Sequence, residues 1–221
     1  MAPKKQKSKK HLTPAQRKQN SKRTTWIAIG AIVAIVVIFG VVAASGILGN
    51  NAPEVPLDPI DPTKVLLETS VGNITIDLRI DKPITSTNFI NLVKAGEYDN
   101  TSFYRTMEGF MIQGGKGASG DGLPNIKDEI GTNNRNDKYT IAMANANAAN
   151  TASSEFFINV ADNGQLISGF NSAYTVFGTI IDGQDVVDAI AAAPVTENPA
   201  RPGEMSVPVD PVIILRATVL P

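Results

Sequence analysis

From Val65 onward, apolar and polar residues alternate in short runs broken by turn-forming residues. Val65-Leu66-Leu67-Glu68-Thr69 and Asn73-Ile74-Thr75-Ile76-Asp77-Leu78 flank Val71-Gly72, a pattern that predicts a hairpin whose strands each bury one face. Phe89, Ile90, Leu92 and Val93 change to helical spacing. The hydroxyls of Thr85 and Ser86 just before them predict a capped helix ending near Gly96. Segments 139–143, 155–160, 174–181 and 212–219 predict further strands, and 184–192, with Val186, Val187 and Ile190 on one face, predicts a second helix. Many short strands with only two helices point to a closed barrel or sandwich, not a parallel α/β sheet.

The first 63 residues follow other patterns. Trp26 to Leu48 is a run of twenty-three uncharged, mostly apolar residues. As a helix it would reach roughly 34 Å, enough for a hydrocarbon core of about 30 Å. The competing reading is a cleaved signal peptide, for which Val42-Ala43-Ala44 offers small residues. The stretch is longer than the roughly 7–15 residues of a signal core, so the expectation is an uncleaved anchor. Segment 1–25 holds nine Lys and Arg and no acid, which predicts a cytoplasmic tail beside anionic lipid. Pro53, Pro56, Pro59 and Pro62 make 49–63 an extended spacer. The folded domain is then 64–221. The expected arrangement is a single pass through the cell membrane, with that domain outside the cytoplasm.

Charge and composition narrow the chemistry. The whole chain carries a net charge of −1, but from Gly49 onward 11 basic residues face 21 acidic ones. An acidic body is a poor match for phosphate, so no nucleic-acid partner is expected. There is no Cys, and the one His, His11, lies in the basic tail. Thiol catalysis, zinc-thiolate sites and Ser-His-Asp hydrolysis are thereby excluded for the body.

The Gly-rich run at 114–120 satisfies G-x-G-x-x-G through Gly115, Gly117 and Gly120, yet Asp121-Gly122-Leu123-Pro124 is no helix start, so it reads as a plain loop. Asp162, Asp182, Asp185 and Asp188 lack any calcium-loop spacing and read as surface acids. No metal or cofactor is expected.

The informative segment is Phe103-Tyr104-Arg105-Thr106-Met107-Glu108-Gly109-Phe110-Met111-Ile112-Gln113-Gly114-Gly115. After it come Met143-Ala144-Asn145-Ala146, Ser154-Glu155-Phe156-Phe157-Ile158 and Val176-Phe177-Gly178. Singly, these aromatics could be core. In this order and spacing they closely resemble the cyclophilin-type peptidyl-prolyl cis-trans isomerases, across residues 65–220, in what would be a membrane-anchored bacterial form.

The resemblance implies a closed eight-stranded antiparallel β-barrel capped by two α-helices. It implies isomerisation of X–Pro bonds with Arg105 as the catalytic residue and no cofactor. Phe110, Met111 and Phe157 match the apolar niche for the proline ring, and Leu166 would complete it. Gln113 matches the side chain that bonds substrate backbone, Ala144 and Asn145 match the rim, and Tyr174 stands at the pocket edge. Glu155 departs from the family's usual Gln and adds negative charge beside the groove. Gln165 replaces an aromatic, which weakens the expectation of tight binding of cyclosporin-type macrocycles. The implied partners are proline-containing unfolded or extended polypeptides during folding of exported proteins, and the lipid bilayer through 26–48, with the protein itself a monomer. The alternative is a catalytically weak peptide-binding or chaperone module using the same groove.

Overall fold

The structure is a computed structural model that describes residues 63–117, 119 and 123–221. The basic tail 1–25, the apolar span 26–48 and nearly all of the spacer 49–63 lie outside the described residues. Among the described residues, no helix is long and apolar enough to cross a membrane.

The hairpin forms as its alternation dictates. Strands β1 (Lys64–Thr69) and β2 (Gly72–Leu78) bury Val65, Leu67, Ile74, Ile76 and Leu78, every second residue. The chain continues through helix α1 (Pro83–Lys94), then β3 (Thr101–Ser102), β4 (Arg105–Met107), β5 (Met111–Gly114), β6 (Thr140–Met143) and β7 (Phe156–Asn159). A one-turn helix α2 (Asn163–Leu166) and a 3₁₀ turn at Phe170–Ser172 lead to β8 (Val176–Asp182) and helix α3 (Gln184–Ala191). Strands β9 (Val195–Glu197), β10 (Met205–Pro208) and β11 (Ile213–Leu220) complete the chain.

Nine strands pair antiparallel in the order β3-β11-β1-β2-β8-β6-β7-β5-β4, while β9 and β10 form a separate two-stranded sheet. Of the expected closed eight-stranded barrel, the mainly β, antiparallel character is present. The sheet curls into a half-barrel, but its end strands β3 and β4 are not paired with one another. Only Phe103 and Tyr104 separate them: the Phe103 N–H donates to Val212 C=O, whereas the Tyr104 N–H donates to Gln113 C=O. The chain thus passes from one end of the sheet to the other within a dipeptide. Strands of two or three residues are too short to show an alternation, which is why the sequence pattern did not mark β3 and β4.

The start of α1 is also corrected. Thr85 and Ser86 are buried inside the helix and do not stand ahead of it. Pro83 opens the helix, where a missing N–H costs nothing. The cap comes from far along the chain: the Glu129 carboxylate accepts from Ile84 N–H (3.1 Å), Thr85 N–H (2.8 Å) and Thr85 Oγ1 (2.7 Å). Inside the curl lie Phe89, Tyr98, Phe103, Phe156 and Phe177, with the Phe89 ring 5.1 Å from Tyr98 and 5.6 Å from Phe156. A smaller cluster of Met111, Ala142, Phe157, Phe170 and Val176 packs on the opposite face.

Candidate active site

Strand alternation sorts adjacent residues to opposite faces. Phe156, Ile112 and Met143 join the interior, while Phe157, Met111 and Ala142 join the outer cluster. Register then aligns the outer face. Arg105 pairs with Gln113, Gln113 with Phe157, Phe157 with Ala142 and Ala142 with Val176, a single row across β4, β5, β7, β6 and β8. Arg105 lies at the sheet's end, beside the apolar residues. The glycines after Gln113 keep the strand close: Gly115 has φ +77°, and a Cβ there would sit 2.6 Å from the Phe156 ring.

The row borders a cavity of about 150 Å³. Phe110, Met111, Phe157, Phe170 and Tyr174 form its apolar wall, with Arg105, Gln113 and Arg201 on the polar side and Ala144, Asn145 and Asn147 at the rim. The rings pack edge to face, Phe157 at 5.3 Å from Tyr174 and Phe110 at 5.7 Å from Phe170. Buried asparagines hold the wall from behind: Asn163 Nδ2 donates to Phe110 C=O (2.6 Å) and Asn134 Nδ2 to Tyr174 C=O (2.7 Å). At the rim, Asn145 Nδ2 donates to Ala173 C=O (2.8 Å). A wider depression of about 590 Å³, which includes Gln165, Ile130 and Arg135, shares no lining residue with this cavity.

The Arg105 guanidinium is heavily bonded. Its Nε and Nη2 donate to the two carboxylate oxygens of Glu204 at 2.7 and 2.8 Å. Nη1 donates to Gln113 Oε1 at 3.2 Å and lies 3.9 Å from Met111 Sδ. The Arg105 hydrogen bonds, then that of Ser206, hold the Glu204 carboxyl down at about 2, so it is charged at any working pH. Gln113 Nε2 donates to the Tyr104 hydroxyl (2.6 Å) and to Glu155 Oε2 (3.0 Å), and the Tyr104 hydroxyl donates to Glu155 as well. Burial, then the bond to Glu155, push the Tyr104 phenol above its ordinary range, so it stays a donor. With its nitrogen turned to Glu155, the Gln113 amide oxygen must face Arg105.

Most of the residues expected from the sequence meet here: Arg105, Phe110, Met111, Gln113, Ala144, Asn145, Phe157 and Tyr174 all line the cavity. Glu155 does not line it, but orients Gln113. Leu166 is the exception. It is 70% exposed, and Phe170 takes the expected place in the wall. The chain turns at Gly169, φ +81°, and brings the ring of the next residue inward. Sequence reading also missed Arg201 and Glu204. Glu204 is 99 positions from Arg105, and nothing local to it signals the contact.

The profile of the family described as cyclophilin type peptidyl-prolyl cis-trans isomerase/CLD matches residues 64–219. The chain belongs to that family. It is 41% identical over 166 residues to peptidyl-prolyl cis-trans isomerase cyp18 of Streptomyces antibioticus, covering 71% of this chain and 98% of the relative. With peptidyl-prolyl cis-trans isomerase B of Escherichia coli it shares 38% identity, over 70% of this chain and 98% of that one. Among solved structures, a Cryptosporidium parvum cyclophilin in the presence of the dipeptide Ala-Pro superposes with TM-score 0.60 and 27% identity, over 72% of this chain and 99% of that one. The activity of this cyclophilin domain is peptidyl-prolyl cis-trans isomerisation.

Proposed function

We propose that this isomerase acts on proline-containing segments of exported polypeptides outside the cytoplasm, held to the membrane by residues 26–48, with Arg105 as its catalytic residue. The observation that carries the residue assignment is the register row, which sets a guanidinium against an apolar wall large enough for a proline ring. The dipeptide in the related cyclophilin supports a proline-containing ligand for this cavity.

Rotation about an X–Pro bond is slow because twisting it destroys amide resonance, a barrier of about 20 kcal/mol. No bond is made and no proton moves, so catalysis requires only that the twisted imide bind better than either planar isomer. Phe110, Met111, Phe157 and Phe170 hold the ring by dispersion and water exclusion. Arg105 donates to the prolyl carbonyl and stabilises the nitrogen lone pair released as resonance is lost. The Asn145 N–H and C=O have no backbone partner among the described residues, and they take the peptide backbone ahead of the proline.

The test is Arg105→Ala in the full chain, assayed for isomerisation of an Ala-Pro-containing peptide. A fall in kcat/KM of at least about a hundredfold, about 2.7 kcal/mol of transition-state binding, is expected with peptide affinity retained. Undiminished turnover would overturn the assignment of Arg105. A wild-type chain that binds peptide without accelerating its isomerisation would give the groove a docking role instead.

A further inference from the structure

We propose that Glu204 is a positioning residue for the reaction: by gripping Nε and Nη2 of Arg105, it leaves Nη1 as the nitrogen that meets the substrate. This rests on the reading of Arg105 as the catalytic residue. A guanidinium has five N–H donors in a rigid fork, and a carboxylate taking Nε and one Nη fixes the plane of the whole group. Here that grip is two-pronged, at 2.7 and 2.8 Å, between side chains only 14% and 20% exposed. The remaining nitrogen lies against Met111 and Gln113, both on the cavity wall.

Glu204 is itself braced. Ser206 Oγ, fully buried, donates to Glu204 Oε1 at 2.6 Å, and Asn198 Nδ2 donates to that hydroxyl at 3.1 Å. The Asn198 N–H also donates to Glu204 C=O (2.8 Å), and the Gly203 N–H to Glu197 Oε1 (2.8 Å). The tip of the β9–β10 hairpin is therefore a bracket. Gln113, fixed by Tyr104 and Glu155, forms a second one on the far side of the guanidinium. A long side chain without such brackets would spread over many rotamers, and holding it ready avoids ordering it during the reaction.

Orientation and charge pull in opposite directions here, which makes the idea decidable. The Glu204 carboxylate damps the positive field of Arg105, so if field strength were all that mattered, removing the charge would speed the reaction. If orientation governs, removing it slows the reaction although the field grows. Glu204→Gln preserves shape but offers one acceptor to two donors. Glu204→Ala removes the grip and leaves space for a small carboxylate.

The experiment measures kcat and KM of the full chain in detergent with an Ala-Pro-containing peptide, for Glu204→Gln, Glu204→Ala, Arg105→Ala and the Arg105→Ala/Glu204→Ala double variant. Expected are a roughly five- to thirtyfold loss of kcat in both Glu204 variants with KM within twofold, and partial recovery of Glu204→Ala in formate, which leaves Arg105→Ala unmoved. The double variant should be no slower than Arg105→Ala alone. A wild-type or raised kcat in Glu204→Gln, a loss confined to KM, or additive losses in the double variant would overturn the role of Glu204. A fully active Arg105→Ala would instead sink the reading of Arg105, and the two failures are distinct. If Glu204→Ala does not fold, the near-isosteric Glu204→Gln carries the same test.

Discussion

Leu166 and Phe170 lie four positions apart, separated by the end of a one-turn helix and a glycine at positive φ, and only the second faces the cavity. Exposed apolar residues contribute little to a neighbouring pocket, whereas a ring packed 4.8 Å from Tyr174 and 5.8 Å from Phe157 shapes it. Phe170→Ala should raise KM for a prolyl peptide about tenfold, and Leu166→Ala should leave KM and kcat within twofold, both read from steady-state kinetics. Equal effects would contradict this placement. Glu204 has a consequence for stability as well. Its carboxyl lies at about 2 in place of the ordinary 4.5, so folding keeps it charged. The stability from this pair is full above about pH 4.5 and is lost as pH falls towards 2. Urea unfolding of wild type and Glu204→Gln should show a gap at neutral pH that closes over that acid window. A gap independent of pH would refute the linkage.

At the scale of elements, two-residue periodicity does most of the assembly. In β5, β6 and β7 it sends one residue to the interior and the next to the site, so Phe156 and Phe157, chemically alike, serve the core and the pocket respectively. The family resemblance already singled out Phe157 for the pocket, whereas the local pattern of two adjacent phenylalanines did not distinguish them. Helix α1 teaches the opposite lesson. Its apolar spacing was legible and its cap was not, since the capping oxygens arrive from Glu129, more than forty residues away. Glu129→Ala strands two amide donors at the helix start. It should lower the unfolding free energy by about 1–2 kcal/mol, measured by urea titration, with kcat unchanged because the hydrogen bonds of the Glu129 side chain go to α1 and it does not line the cavity. A neutral effect on stability would show that Pro83 alone sets the start.

At the scale of the molecule, charge is partitioned: nine basic groups precede Trp26, and acidic residues prevail from Gly49 onward. Positive charge resists transfer across a bilayer far more than negative charge does, so in the proposed membrane-anchored arrangement the span would have its N-terminus inside. Protease added to intact spheroplasts should therefore digest residues 64–221. Full protection, lost only when the membrane is broken, would show the reverse topology.

The chain's own pattern determined the strand-rich class, the first hairpin and both longer helices, because these depend on neighbours within a few positions, and the resemblance of its motifs to a family marked the residues from Arg105 to Phe157. Only the tertiary structure decided that the segment from β3 to β4 reaches both ends of the sheet, that Phe170 and not Leu166 lines the cavity, and that Glu204 holds Arg105. Those outcomes depend on where distant segments come to rest, and a single acid or ring in a loop has no periodicity by which to announce its partner.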